Sequence, residues 1–406
     1  MRVVHDRCCG MDVHKKTVSA CVITPKAREV RTFGTFTNDL LKLADWLKEQ
    51  GVTHVAMEST GVYWKPVFNI LESEDFEILV VNARHIKQVP GRKTDVKDAE
   101  WIADLLRHGL LTGSFIPNRE QRELREVVRY RRSLIEERSR EMNRIEKVLE
   151  GANIKLSSVV SNISGVSSLS MIQALIDGVE DPKELSEMAR GRLRSKSGEL
   201  ERALVGLMGP HQKMMLSTQL AHIDFLNSQI AELDGEIEER MRPFEEELTL
   251  LETIPGVGKR SSEEIIAEIG VDMSRFPTDG HLASWAGMSP GNNESAGKRK
   301  SGKTAGGNKH LRATLVQCAH AGARCKDTYF KAKYGRVSAR RGAKRAAVAV
   351  GHDILTSCYH ILKKKEPFRD LGPNHFLELK RTYAVAGAVK RLQSLGYSVR
   401  LEEVVA

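Results

Sequence analysis

Four carboxylates in the first hundred residues have the types and settings that chemistry on phosphate needs. They are Asp12 in Gly-Met-Asp-Val-His, Glu58 in Ala-Met-Glu-Ser-Thr-Gly, and Asp95 and Asp98 in Lys-Thr-Asp-Val-Lys-Asp-Ala-Glu. Oxygen-only ligand sets suit hard divalent cations, which neutralise and polarise phosphoryl oxygens. Asp95 and Asp98 open an amphipathic helical pattern whose apolar positions include Ile102, Leu105 and Leu106, and their spacing of three puts both on one face of its first turn. Helix capping by Thr94 and Asp95, with Asp98 favoured by the helix dipole, is the plainer explanation of that pair alone. It does not account for Asp12 and Glu58, which fall on strand-like runs where an unpaired carboxylate is costly. Together the four acids predict a metal-dependent nuclease or strand-transfer enzyme acting on nucleic acid.

The elements that must position these acids are legible around them. Strand-like runs are expected at residues 8–13, 17–24, 29–36, 54–57 and 77–81, with helical patterns at 39–49 and 62–72. Three strands, a helix, a strand, a helix, a strand and a closing helix is the order of an RNase H-like α/β domain, placed here at residues 1–115. Alternation in the first strand puts Gly10, Asp12 and His14 on one face and Cys9, Met11 and Val13 on the other. Glu58 ends its strand beside Ser59, Thr60 and Gly61, small residues that let a phosphate backbone approach. His14 is expected to support the acidic site or touch phosphate.

Beyond Arg119 the texture changes. Val128, Ile135, Met142 and Leu149 recur every seven residues, as do Leu216, Ile223, Ile230, Ile237 and Phe244. Two long helices at heptad spacing predict an antiparallel hairpin or a dimerising coiled coil over residues 116–250, with shorter helices at 157–210 and an architectural rather than chemical role. Residues 251–365 read as a mainly helical C-terminal domain, and 366–406 as a tail.

Ile254-Pro255-Gly256-Val257-Gly258-Lys259 resembles the turn of a helix-hairpin-helix, in which backbone N–H groups at a helix start hold a phosphate. A tight turn between core helices is its simpler alternative. After Pro290 comes a polar, basic stretch read as a mobile loop gripping nucleic acid, with Lys298, Arg299, Lys300 and Lys303, followed by a helix from about Asn308 that carries Lys309, His310 and Arg312. Gly297 to Thr304 fits the Gly-x-x-x-x-Gly-Lys-Thr pattern of nucleotide-binding loops, yet the residues before it offer no buried strand and Gly306-Gly307 delays the helix, so no ATP site is expected.

Composition agrees. The chain has 406 residues and a net charge of +10, and between Lys298 and Arg345 fifteen Lys or Arg face one acid, Asp327. Such an excess favours a polyanionic partner, since each neutralised phosphate releases condensed counterions. Six cysteines show neither metal-ligand pairs nor a disulfide framework, and no run of about eighteen apolar residues occurs. A soluble protein of the cytosol is expected, with no membrane partner.

The collinear motifs Gly-Met-Asp-Val-His-Lys, Ala-Met-Glu-Ser-Thr-Gly-Val-Tyr-Trp, Lys-Thr-Asp-Val-Lys-Asp-Ala, Ile-Pro-Gly-Val-Gly, Ala-Gly-Met-Ser-Pro and Ser-Ala-Gly-Lys-Arg, with Gly-Asn-Lys-His-Leu-Arg, resemble the DEDD insertion-sequence transposases, the one-ten family related to pilin-gene invertases. The resemblance runs from about residue 7 to 365. It implies a RuvC-like domain whose acids Asp12, Glu58, Asp95 and Asp98 hold Mg²⁺ or Mn²⁺, a coiled-coil arm, and a C-terminal serine nucleophile at Ser295. Many relatives carry Ser-Gly-Gly where this chain has Ser295-Ala296-Gly297, so Ser289 and Ser301 stand as alternatives. It further implies strand exchange between donor and target DNA through a serine–DNA link, guidance by a structured bridge RNA, a dimer or tetramer, and work on the bacterial or archaeal nucleoid. A hydrolytic RuvC-like junction resolvase and a non-catalytic nucleic-acid-binding scaffold are the competing expectations.

Overall fold

A computed structural model of the chain describes residues 2–59, 61–82, 86, 98–290, 293–295, 298–301, 304, 306–378 and 381–401, with the backbone alone at 293–295, 298–301, 377, 382 and 384. Asp95 and Lys303 lie outside the described residues. The chain divides into two units, Met1–Pro117 and Asn118–Ala406.

The first unit is built on a five-stranded sheet of β1 (Cys8–Val13), β2 (Thr17–Ile23), β3 (Arg28–Gly34), β4 (His54–Glu58) and β5 (Glu77–Val81), with helices α1 (Thr37–Glu49), α2 (Trp64–Leu71) and α3 (Asp98–Arg107). The element order is the one expected from the hydrophobic pattern. In space the strands run β3-β2-β1-β4-β5, with β1 antiparallel to β2 and parallel to β4, and β5 parallel to β4. Alternation assigns the two faces. Cys9, Met11, Val13, Val55 and Met57 pack with Leu43 and Leu47 of α1 and Leu71 of α2. Cys8, Cys21, Ala56 and Val81 pack with Ala99, Ile102 and Ala103 of α3. On this second face the residues are small where the helix crosses, and a Cβ placed on Gly10 would lie 2.2 Å from the Ala103 nitrogen and 2.5 Å from the Ala99 oxygen. Helix α3 therefore rests on the β1 backbone itself.

In the second unit α4 (Arg119–Gly151) runs out, α5 (Val166–Asp177) belongs to a lobe of short helices, and α6 (Pro210–Met241) returns. Arg131 pairs with Asp234, and Arg138 donates to Asn227 at 2.8 Å. One partner rises by seven as the other falls by seven, which is an antiparallel register one heptad long. The apolar stripe closes inside the chain, with Leu134 against Leu226 and Ile230, so the hairpin alternative is the one adopted. The lobe between the two long helices has a core of its own, including Leu156, Met171, Ile172, Leu185 and Leu200.

The remaining elements are α7 (Glu245–Glu252), α8 (Lys259–Ile269), α9 (Asp279–Trp285), a two-stranded antiparallel hairpin of β6 (Asn293–Ser295) and β7 (Lys298–Ser301), then α10 (Lys309–Gly322), α11 (Tyr329–Arg341), α12 (Ala343–Lys364) and α13 (Arg381–Ser394). Val350, Ile354, Leu355 and Cys358 of α12 are wholly buried at their centre. Among the described residues no helix is long and apolar enough to cross a membrane.

A two-stranded hairpin stands within the basic stretch after Pro290, where the sequence predicts only a loop: Asn293–Ser295 pairs with Lys298–Ser301, and a bridge between Pro290 and Thr304 extends the ladder. It also decides the nucleotide-loop resemblance against ATP. A strand does precede Gly297, contrary to expectation, but Lys298–Ser301 is itself extended where a phosphate loop must curl, and α10 starts only at Lys309.

Candidate active site

Three of the four expected acids are described, and all lie on the α3 side of the sheet in the first unit. Asp12 is the fifth residue of β1, Glu58 the last of β4 and Asp98 the first of α3. The parallel register pairs Gly10 with Ala56 and Met11 with Met57, so Asp12 and Glu58 stand at the next step along their strands on one face. Gly10, by admitting α3 into backbone contact, brings the first turn of that helix over the same strand end.

The Asp12 side chain keeps 22% of its exposure, and its Oδ2 lies 3.1 Å from Nε2 of the exposed His14. Burial holds the Asp12 carboxyl above the usual aspartate range; His14 opposes the shift, and the negative charges of Asp98 and Glu58 add to it. The three acids thus share one electrostatic neighbourhood. Among the described residues no three His, Cys, Asp or Glu side chains close tightly enough to enclose an ion. The donors present are carboxylate oxygens crowded by like charge, a set that fits a hard divalent cation. Burial pushes the Cys8 and Cys21 thiols up to about 11.

Ser295 ends β6, and its backbone pairs with Lys298, while Glu294 faces Arg299 beyond a register shift between Asn293 and Glu294. Lys300 follows on β7. The base of the hairpin is held by backbone contact: a Cβ on Gly307 would lie 2.3 Å from the nitrogen of Gly287, itself at φ +70°. Asn308 then caps α10, its Oδ1 accepting from the N–H groups of His310 and Leu311 at 3.1 Å each. Lys309 is exposed and Arg312 half-buried on the first turns of that helix. Ser289, an alternative nucleophile, is half-buried and donates its N–H to the Ala283 carbonyl.

A buried ion-pair network missed in the sequence reading anchors this cap. The Asn308 amide donates to Glu268, whose side chain is 3% exposed and which takes a two-pronged contact from Arg129 at 2.7 and 2.8 Å. Arg125 lies 3.3 Å from the same carboxylate. One helix turn on, Arg132 reaches Glu264 at 3.2 Å and Thr314 at 2.9 Å. Burial and the cations Arg129 and Arg132 push the His310 imidazole below its usual pKa, against the opposing charge of Glu268. The signal was available: Arg125, Arg129 and Arg132 recur at helical spacing, as do Glu264 and Glu268.

The glycine turn before α8 works differently from a plain phosphate grip. Gly256 has φ +91°, and a Cβ there would lie 2.3 Å from the Gly322 nitrogen, so this residue seats the turn on the end of α10. Gly258 is exposed and donates its N–H to Ser261 Oγ at 2.9 Å, while Lys259 pairs with Glu238 at 2.9 Å.

Comparison with known proteins gives two matched spans. A model described as transposase, of the DEDD IS110 type, matches residues 9–154, and one described as transposase of the IS116/IS110/IS902 family matches residues 248–335. The first span contains all four acids and the second Ser295. The pilin gene-inverting protein of Moraxella lacunata is 24% identical over 374 residues, covering 88% of this chain and 96% of that protein. Its counterpart in Moraxella bovis is 23% identical over 378 residues, with the same coverage of 88% and 96%. An uncharacterized 43.6 kDa protein of insertion element IS110 from Streptomyces coelicolor is 26% identical over 253 residues, covering 57% of this chain and 61% of that protein.

Proposed function

The chain belongs to the IS110 family of transposases, and from that premise we propose that it is a DNA recombinase that cuts and rejoins strands through a covalent bond to Ser295. The observation that carries the reading is the convergence of Asp12, Glu58 and Asp98 on one side of the first unit's sheet, felt as mutual repulsion at Asp12. We read that unit as an RNase H/RuvC-like domain, and Asp95 as the fourth acid of the set. A divalent cation, Mg²⁺ or Mn²⁺, when bound by these carboxylates supplies positive charge to the phosphate oxygens and to the departing oxygen.

The remaining chemistry belongs to the chain. Ser295 Oγ bonds to phosphorus as the bond from phosphorus to the 3′ oxygen breaks; the serine proton leaves through a base and the 3′ oxygen gains one, so a 3′ hydroxyl is released. In the exchange step a 3′ hydroxyl from the partner strand attacks the phosphoserine, restoring the serine and a phosphodiester. Lys298, Arg299, Lys300 and Lys303, with Lys309 and Arg312, hold phosphates near the serine, and exposed Gly258 and Lys259 form a further contact on a turn that Gly256 seats against α10. Donor and target DNA are the substrates, a structured guide RNA pairs with both, and the protein acts as a dimer or tetramer on nucleoid DNA in the cytoplasm.

The test is a denaturing gel of DNA treated with the protein and Mg²⁺. The parent gives a protein–DNA adduct, Ser295→Ala gives none and still binds DNA, and Asp12→Asn gives none either. Nicked DNA from Ser295→Ala at the parent's rate would replace the serine by water and make the enzyme a hydrolase.

A further inference from the structure

The lobe between the long helices, expected to be architectural and lying between the two spans matched by the transposase models, contains a cleft lined by three cations. An open cleft of about 590 Å³ lies between the segment 158–168 and the segment 190–196. Arg190, Arg192 and Lys196 line one side, the hydroxyl residues Ser158, Ser161 and Ser167 the other, and no Asp or Glu lines it. Among the described residues none of the three cations has a carboxylate within ion-pair distance, whereas the cations of the neighbouring arm are mostly paired.

The cleft is held in shape from both sides. Gly191, at φ +57°, turns the chain so that Arg190 and Arg192 both reach the cleft. The Arg190 N–H donates to Ser167 Oγ at 3.0 Å, and Lys196 Nζ donates to the Val159 carbonyl at 3.1 Å, which fixes the ammonium at the rim. A second cleft of about 550 Å³ shares Val160, Ser161 and Asn162 with the first and adds Arg138, which donates to Asn227, and the acid Glu146. In the first cleft, cations without a carboxylate partner, hydroxyl groups and no acid suit an anion, and its openness suits a polymer rather than an enclosed metabolite.

We propose that this cleft binds the phosphodiester backbone of a nucleic-acid strand, as a contact additional to the residues assigned to strand chemistry. The proposal rests on the function above only for its polymer. DNA and RNA carry the same phosphodiester, and the experiment tells them apart.

Full-length protein carrying Arg190→Gln, Arg192→Gln and Lys196→Gln is compared with an equal-charge control, Lys147→Gln, Lys183→Gln and Arg202→Gln, none of which lines the cleft. Affinity for duplex DNA and for single-stranded RNA is followed between about 50 and 200 mM salt. The cleft variant is expected to lose roughly 0.9 of log–log slope per phosphate contact on duplex DNA, or about 0.7 on a single strand, and roughly tenfold or more in affinity; the control keeps the parent's slope. The polymer whose slope falls is the ligand. Equal slopes for both variants with both polymers overturn the proposal. Should the cleft variant misfold, hydrogen exchange in the parent decides: protection of residues 158–168 on binding nucleic acid supports the site, and unchanged exchange there overturns it. Loss of the Ser295 adduct reading would leave these slopes untouched, and the reverse holds too.

Discussion

Gly10 on β1 and Ala103 on α3 are in backbone contact, with no room between them for a single methyl group. That contact sets the depth at which Asp98 enters the acidic site. Gly10→Ala must push α3 off the strand, because the obstacles are main-chain atoms that no rotamer change can clear. We expect a loss of about 1–3 kcal/mol in unfolding free energy, as for overpacked cores, with strand cleavage falling more than DNA binding. Denaturant titration and the adduct gel check both; a variant as stable and as active as the parent would refute the packing argument.

Asp12→Asn should separate stability from activity. The Asp12 carboxyl titrates higher in the folded chain than in the unfolded one, so as pH rises the unfolded chain loses that proton first and the folded state becomes relatively less stable. The penalty is absent below the ordinary aspartate range and complete above the raised folded value. At neutral pH the variant should therefore melt higher than the parent, with the gap closing in acid; the lost contact to exposed His14 subtracts little. Divalent cations should raise the melting temperature of the parent and not of the variant. Melting curves from pH 3 to 8 that put the parent higher throughout would contradict the sign.

Glu268→Ala removes a carboxylate that Arg125 and Arg129 share, and leaves the Asn308 amide without its Glu268 acceptor. Breaking a buried pair from one side costs about 3–5 kcal/mol. The cap of α10 follows the hairpin that carries Ser295, so adduct formation should drop while the melt of the first unit stays put. Thermal unfolding watched by unit, with limited proteolysis of the 290–310 segment, gives the readout.

Gly256→Ala meets two obstacles at once, a φ of +91° and the Gly322 backbone. It should destabilise the second unit clearly, whereas Gly258→Ala, with nothing within 4 Å of the new methyl group, should be mild. Equal melting temperatures for the two variants would argue against this division of labour.

The sheet was readable because its central strand β1 buries both faces: Cys9, Met11 and Val13 lie on one face and Cys8 and Gly10 on the other, with Asp12 following Gly10. Acids at such positions announce themselves, since solvent cannot explain them. The hairpin around Ser295 was harder, because its strands are three and four residues long and polar throughout, leaving no apolar period to detect. The pairing of Arg129 with Glu268 joins residues 139 apart, and only the complementary helical spacings hinted at it. The cleft beside Arg190 depends on how three short helices meet, which local pattern does not encode.

The arm's buried leucines Leu134 and Leu226 meet Ile230 within a single polypeptide, with the heptad residue Ile135 packed beside them. Its helicity is therefore a first-order property, indifferent to dilution. A substitution that parts Leu134 from Leu226 and Ile230 should soften this rod to the same degree at every protein concentration.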